Sequence, residues 1–162
     1  MMKQENTLAR YTILRELGRG PLGTVWAASD RQTGAVVAMK TLDAALLGKS
    51  GPSLAEQFVK RARSARRLQH RNIVQVLDAG EMAGAPYVTM EMVEGDNLRK
   101  LLDGGPLGIA RALQIMHEVA SALEYLHLEG AVHGSIRPSS IIVTRSGEVK
   151  LTDFGMGELA AA

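Results

Sequence analysis

The chain has 162 residues, 46% apolar and 22% charged, with a formal net charge of +2 and no cysteine. That length suits one domain with a core of its own, and the missing thiols exclude a disulfide scaffold, a cysteine nucleophile and a zinc site built on Cys. The net charge is too small to support nucleic-acid or membrane-surface binding. No apolar run approaches the roughly 20 residues needed to span a bilayer, so the expected location is cytoplasmic.

Residues 1–10 form a polar tail without the apolar core of a secretion signal. Tyr11 to Leu17 then reads as a strand, Gly18 to Gly23 as a glycine-rich turn, Thr24 to Ala28 as a second strand and Ala35 to Leu42 as a third. Short apolar runs joined by short turns predict an antiparallel meander. From Ser53 to Gln69 the period becomes helical: Leu54, Phe58, Ala62, Ala65 and Leu68 recur at three and four residues, and Ser53 with Glu56 has the spacing of a capping box. The basic run from Lys60 to Arg67 on this helix lacks the interleaved aromatics of a nucleic-acid surface and reads as a solvated face. Ile73 to Ala79 and Pro86 to Val93 are two further strands. Beyond Gly95 the pattern is mainly helical. A short helix spans Asn97 to Leu102, and a long one spans Ile109 to Leu128 on the apolar positions Ala112, Ile115, Met116, Val119, Leu123 and Leu126. Gly130 stands where a helix C-terminal glycine belongs. Two short strands, Ile141 to Thr144 and Val149 to Thr152, turn at Ser146-Gly147. The expected class is α+β: five antiparallel strands with one helix, then a mainly helical part.

Four motifs fall in order on this frame. Gly18-Arg19-Gly20-Pro21-Leu22-Gly23-Thr24-Val25 is G-x-G-x-x-G-x-V between two strands. Glycines there let backbone amides approach phosphates closely. Val37-Ala38-Met39-Lys40 puts a lysine on the third strand, seventeen residues after Gly23. His133-Gly134-Ser135-Ile136-Arg137-Pro138-Ser139-Ser140 stands where H-R-D-L-x-x-x-N is expected, and Asp153-Phe154-Gly155 is D-F-G. No single match is specific, but the ordered set resembles the protein-kinase signature. The resemblance is closest to bacterial serine/threonine kinases of the eukaryotic-like type. It covers about residues 11–157, the front part of that family's domain.

The resemblance implies a kinase-like N-lobe and hinge over 11–93 and a partial C-lobe over 94–162, ending before the activation segment, the A-P-E motif and the later helices. It implies ATP and Mg²⁺ as ligands. Leu17, Gly18, Gly20, Gly23 and Val25 would form the glycine-loop wall. Ala38 and Val25 would cover adenine, with Ile142 beneath it. Lys40 would hold the α- and β-phosphates. Met90 is the gatekeeper, Glu91, Met92 and Val93 the hinge, Asn97 the ribose neighbour and Leu98 part of the floor. Asp153 would hold the metal. His133 and Phe154 match the residues that link the lobes, with Ala65 and Val76 as partners.

Four departures cut against activity. Ser135 replaces the catalytic Asp, and a neutral hydroxyl is a very poor base; general-base assistance is typically worth about 10²–10⁴ in rate. Ser140 replaces the metal-binding Asn, a weaker and shorter ligand, and Arg137 replaces a lysine. Arg61 falls where a glutamate pairs with the strand lysine, while Glu56 lies on the wrong helical face. That leaves Lys40 to lean on Asp153 or on phosphate. Pro21 removes one amide from the glycine loop.

The expectation is therefore a nucleotide-binding, pseudokinase-like module that acts through protein contacts. Two alternatives stay open: a kinase with residual phosphotransfer, and an interaction module or fragment that binds no nucleotide. Without later helices, part of the apolar face of Ile109 to Leu128 should be uncovered, inviting self-association or an unknown protein partner.

Overall fold

The structure, a computed structural model, describes residues 10–20, 22–46 and 52–153. Pro21, Phe154 and the side chain of Ser53 lie outside the described residues.

Five strands, β1 (Tyr11–Gly20), β2 (Gly23–Asp30), β3 (Val36–Leu42), β4 (Val76–Met82) and β5 (Ala85–Glu91), make one sheet in the order β1-β2-β3-β5-β4. Every neighbouring pair is antiparallel. The glycine-rich segment is less of a turn than its composition suggests. β1 runs on to Gly20, pairing Gly18 with Val25 and Arg19 with Thr24. Ladder hydrogen bonds come from the backbone and need no side chain.

Alternation along β3 sorts its residues between the two faces of the sheet. Val37 and Met39 join Tyr11 and Ala28 in a small cluster, packed by Trp26 and Tyr87. Ala38, Lys40 and Leu42 point the other way. There α1 (Pro52–Ala65) lies against β4 and β5. All five periodic residues of the predicted helix are buried, with Phe58 and Ala62 fully inaccessible. Full burial of a side chain such as Phe58 contributes about 1.5–3 kcal/mol.

The second half contains β6 (Gly95–Asn97), α2 (Leu98–Asp103), α3 (Ile109–Leu128), a 3₁₀ turn (Pro138–Ser140), β7 (Ile141–Thr144) and β8 (Val149–Leu151). β6, β7 and β8 form a small sheet in that order. β6 was not foreseen, because three polar or glycine residues carry no alternation. Gly95 is required by packing, since a Cβ there would overlap the Val143 carbonyl.

α3 buries Ile115, Val119, Ala122 and Leu126. Met116, expected in the core, is 50% exposed, and Ile109 and Leu113 are 81% and 65% exposed. The buried stripe is narrower than the apolar face, which leaves these side chains uncovered among the described residues. After α3, Gly130 takes a φ of 72°, and its N–H bonds the His127 carbonyl at 3.0 Å.

The two halves are also joined behind the cleft. Asn72 donates its side-chain amide to the Val149 carbonyl and to Glu118 Oε2, both at 2.8 Å. The same carboxylate oxygen accepts the Val149 N–H at 2.8 Å. Leu151 N–H bonds the Asn72 carbonyl and Val74 N–H bonds the Leu151 carbonyl, giving a parallel bridge between Ile73 and Leu151.

Candidate functional site

A cavity of about 1070 Å³ opens between the β1–β3 side of the sheet and the β6–β7 region. Leu17, Gly18, Gly20, Val25, Ala38, Lys40, Met90, Glu91, Met92, Val93, Asn97, Arg137, Ile142 and Asp153 all line it; Gly23, Leu98, Ser135 and Ser140 do not. Gly23 has a different task. It is buried at φ 149°, and a Cβ there would overlap the Thr41 carbonyl, so it allows β2 to close on β3. A Cβ at Gly18 or Gly20 would meet no protein atom within 4 Å. Protein packing therefore does not demand glycine at those two positions.

Lys40 is 5% exposed, and its Nζ lies 2.7 Å from Asp153 Oδ1. Asp153 takes a φ of 63°, a left-handed conformation that a non-glycine residue holds only when its surroundings enforce it. The ion pair matches the expectation that Lys40 leans on Asp153. Glu56 is exposed. Arg61 is half-buried. It lines a second cavity of about 450 Å³ against Gly130, Ala131 and Val132, away from Lys40's cavity.

At the hinge the sheet ends on Glu91. Its carboxylate accepts Lys150 Nζ at 2.6 Å and the Gln75 N–H at 3.0 Å. Asn97 caps α2, its Oδ1 accepting the Lys100 N–H at 2.9 Å. Leu98 is 6% exposed and belongs to the core, which removes it from the cavity wall.

The loop after α3 spends its polar groups on itself. The Ser135 N–H donates to His133 Nδ1 at 3.1 Å, which puts the ring proton on Nε2, where it is donated to the Thr152 carbonyl at 2.8 Å. Burial pushes the His133 imidazolium below its ordinary range, against opposing pulls from the Thr152 carbonyl and Asp153; Arg137 adds to the depression. Ser140 is inaccessible to solvent. Its hydroxyl proton is shared between the carbonyls of Ser135 (3.1 Å) and Arg137 (2.9 Å), and its oxygen accepts the Arg137 N–H at 3.1 Å. Gly134 sits at φ 75°, where glycine carries no Cβ penalty. His133, Ala65 and Val76 are all buried.

Sequence reasoning missed the charge around the cavity. Seven basic side chains, Arg15, Arg19, Lys40, Lys100, Arg111, Arg137 and Arg145, line it against four acids, Glu91, Glu94, Asp96 and Asp153. All four acids are already held: Lys150 takes Glu91, Lys100 takes Asp96, Arg145 takes Glu94 and Lys40 takes Asp153. Arg137 has no ion-pair partner among the described residues, and its buried Nε lacks a hydrogen-bond acceptor. These basic residues are scattered through the chain, so no local run announces them.

The donor set for Mg²⁺ is correspondingly poor. Ser140 is not an available ligand, because its hydroxyl is buried and engaged with backbone. Asp153 remains as a lone carboxylate, with one oxygen already on an ammonium. The described residues do not form the two-point metal site that the family pattern implies.

The protein kinase domain family matches residues 11–162. The probable serine/threonine-protein kinase SCO3848 of Streptomyces coelicolor is 41% identical over 152 residues, covering 91% of this chain and 22% of that protein. Serine/threonine-protein kinase PknD of Mycobacterium tuberculosis is 38% identical over 158 residues, covering 93% of this chain and 23% of that protein. This chain thus spans less than a quarter of the length of either relative. The crystal structure of the M. tuberculosis PknI kinase domain superposes with a TM-score of 0.79 at 30% identity, covering 91% of this chain and 59% of that one. With the family matched over nearly its whole length, and its strand order, lysine and D-F-G aspartate in place, the chain belongs to the protein kinase domain family.

Proposed function

We propose that this chain is a kinase-type nucleotide-binding module that holds ATP, transfers its phosphate poorly, and acts through protein contacts. One contrast carries the reading. The cavity keeps a buried lysine on the D-F-G aspartate at 2.7 Å, while position 135 carries a serine that does not line the cavity. Gly18 and Gly20 support it, because open space beside them suits the close approach of a ligand's phosphates to the backbone. Thermal denaturation with and without ATP is the test. ATP should raise Tm, and Lys40→Ala should remove the rise. No rise, or one that survives Lys40→Ala, overturns the reading.

The Lys40–Asp153 pair also favours a second reading, a serine/threonine kinase with residual activity. Radiolabel transfer from ATP to a generic protein substrate, abolished by Lys40→Ala, would select it.

The contact surface in the leading reading is the uncovered stripe of Ile109, Leu113 and Met116 on α3. Apolar surface is worth roughly 25 cal/mol per Å² when buried, which favours covering such a stripe. Sedimentation velocity should show association that Leu113→Glu with Met116→Glu reduces. A chain that is monomeric in both forms excludes self-association.

A further inference from the structure

We infer that the cavity takes the polyphosphate of its nucleotide without a divalent metal, with Lys40 and Arg137 supplying the countercharge. The inference rests on the nucleotide-binding reading above and adds to it what neutralises the phosphates.

The metal side of the site is depleted. Mg²⁺ demands near-octahedral oxygen ligands, dehydrates reluctantly, and is usually held by one or two carboxylates together with substrate phosphates. Ser140 cannot contribute, since its hydroxyl is inaccessible and bound within its own turn. Asp153 carries Lys40 Nζ at 2.7 Å on one oxygen. A dication on the other oxygen would sit beside that ammonium, in a cavity that Arg137 also lines, and like charges repel.

The anion side is reinforced. Arg137 lines the same cavity as Lys40 and Asp153. It has no ion-pair partner among the described residues, and its Nε is buried without an acceptor. A guanidinium stays charged at any working pH, and its planar fork of N–H donors matches phosphate oxygens as a point-charge ammonium does not. Its position on the cavity wall suits an anion brought from outside the chain. Gly18 and Gly20 leave open space along the opposite wall for the rest of the phosphate chain.

Isothermal titration of the whole chain with ATP, ADP and adenosine, in EDTA and in excess Mg²⁺, tests the inference. The ATP Kd should agree within about threefold between the two buffers, a difference of about 0.65 kcal/mol or less. Arg137→Ala should weaken ATP in EDTA by about tenfold or more, as expected for losing a charge-assisted hydrogen bond, and should leave adenosine unchanged. Arg137→Gln, which keeps a polar side chain with two N–H donors but removes the charge, provides a second variant and should behave likewise. ATP binding that appears only with Mg²⁺ overturns this inference and leaves the nucleotide-binding reading standing. Full ATP affinity in both Arg137 variants overturns the role given to Arg137. No binding of ATP or adenosine in either buffer overturns both readings.

Discussion

Lys40, on the sheet side of the cavity, and Ser140, in the loop opposite, are both nearly inaccessible polar residues, yet they end in opposite conditions. Lys40 reaches across 113 positions of sequence to Asp153 and stays on the cavity wall. The Ser140 hydroxyl bonds only backbone groups within five residues of itself. His133 is used the same way, with both ring nitrogens taken by backbone. A side chain can occupy the position of a catalytic group and still do no chemistry, because its lone pairs and protons are already engaged. In the loop the buried polar groups are consumed by neighbouring backbone; on the strand side the ammonium stays turned to the cavity.

The contrast can be broken most severely at Gly23. Gly23→Ala drives a methyl into the Thr41 carbonyl and should cost about 3 kcal/mol through overpacking and backbone strain, read as a fall in the urea midpoint. A midpoint unchanged by this substitution would remove the structural account of that glycine. Next comes Ser140→Ala, which strands the Arg137 N–H and the Ser135 carbonyl. It should destabilise by about 2 kcal/mol while leaving ATP affinity unchanged. A selective loss of affinity would return Ser140 to the binding machinery.

A smaller effect sharpens the picture through pH. His133 and His70 are both held below the ordinary histidine value of 6.5, chiefly by burial. The unfolded chain therefore binds more protons than the folded one just below that pH, so stability is complete above it and declines as pH falls through the window beneath it. Urea midpoints between pH 7 and pH 5 should fall, less so in His133→Gln; a flat profile contradicts the burial account. Smallest of all, Gly18→Ala should change stability by less than about 0.5 kcal/mol yet weaken ATP binding, because its Cβ meets open space where a ligand would lie.

Much of this architecture was legible in the sequence where periodicity had a physical cause. Leu54, Phe58, Ala62, Ala65 and Leu68 announced a helix face, and all are buried. The bounds of α3 and β7 match their patterns. Legibility failed where backbone acts alone, as in the extension of β1 through Gly20 and in β6. At the site, spacing singled out Lys40 and Asp153, because fixed strand geometry carries them to one place. It could not show that Gly23 serves the sheet, that Ser140 is consumed by its own turn, or that Arg137 lacks a partner. Those facts depend on which neighbours arrive from distant parts of the chain. Met116 illustrates the same limit: helical period places it beside the core, and only the packing decides that nothing covers it.

Glu118 deserves a last consequence. One carboxylate oxygen, placed mid-helix on α3, holds the Asn72 side chain and the Val149 amide together, while the chain itself crosses between the halves at Met92 to Glu94. That junction sits beside the backbone bonds of Leu151 to Asn72 and of Val74 to Leu151, so parting the halves at the rear would strand the buried Asn72 amide and the Val149 N–H without partners, a cost that keeps the back of the cleft shut.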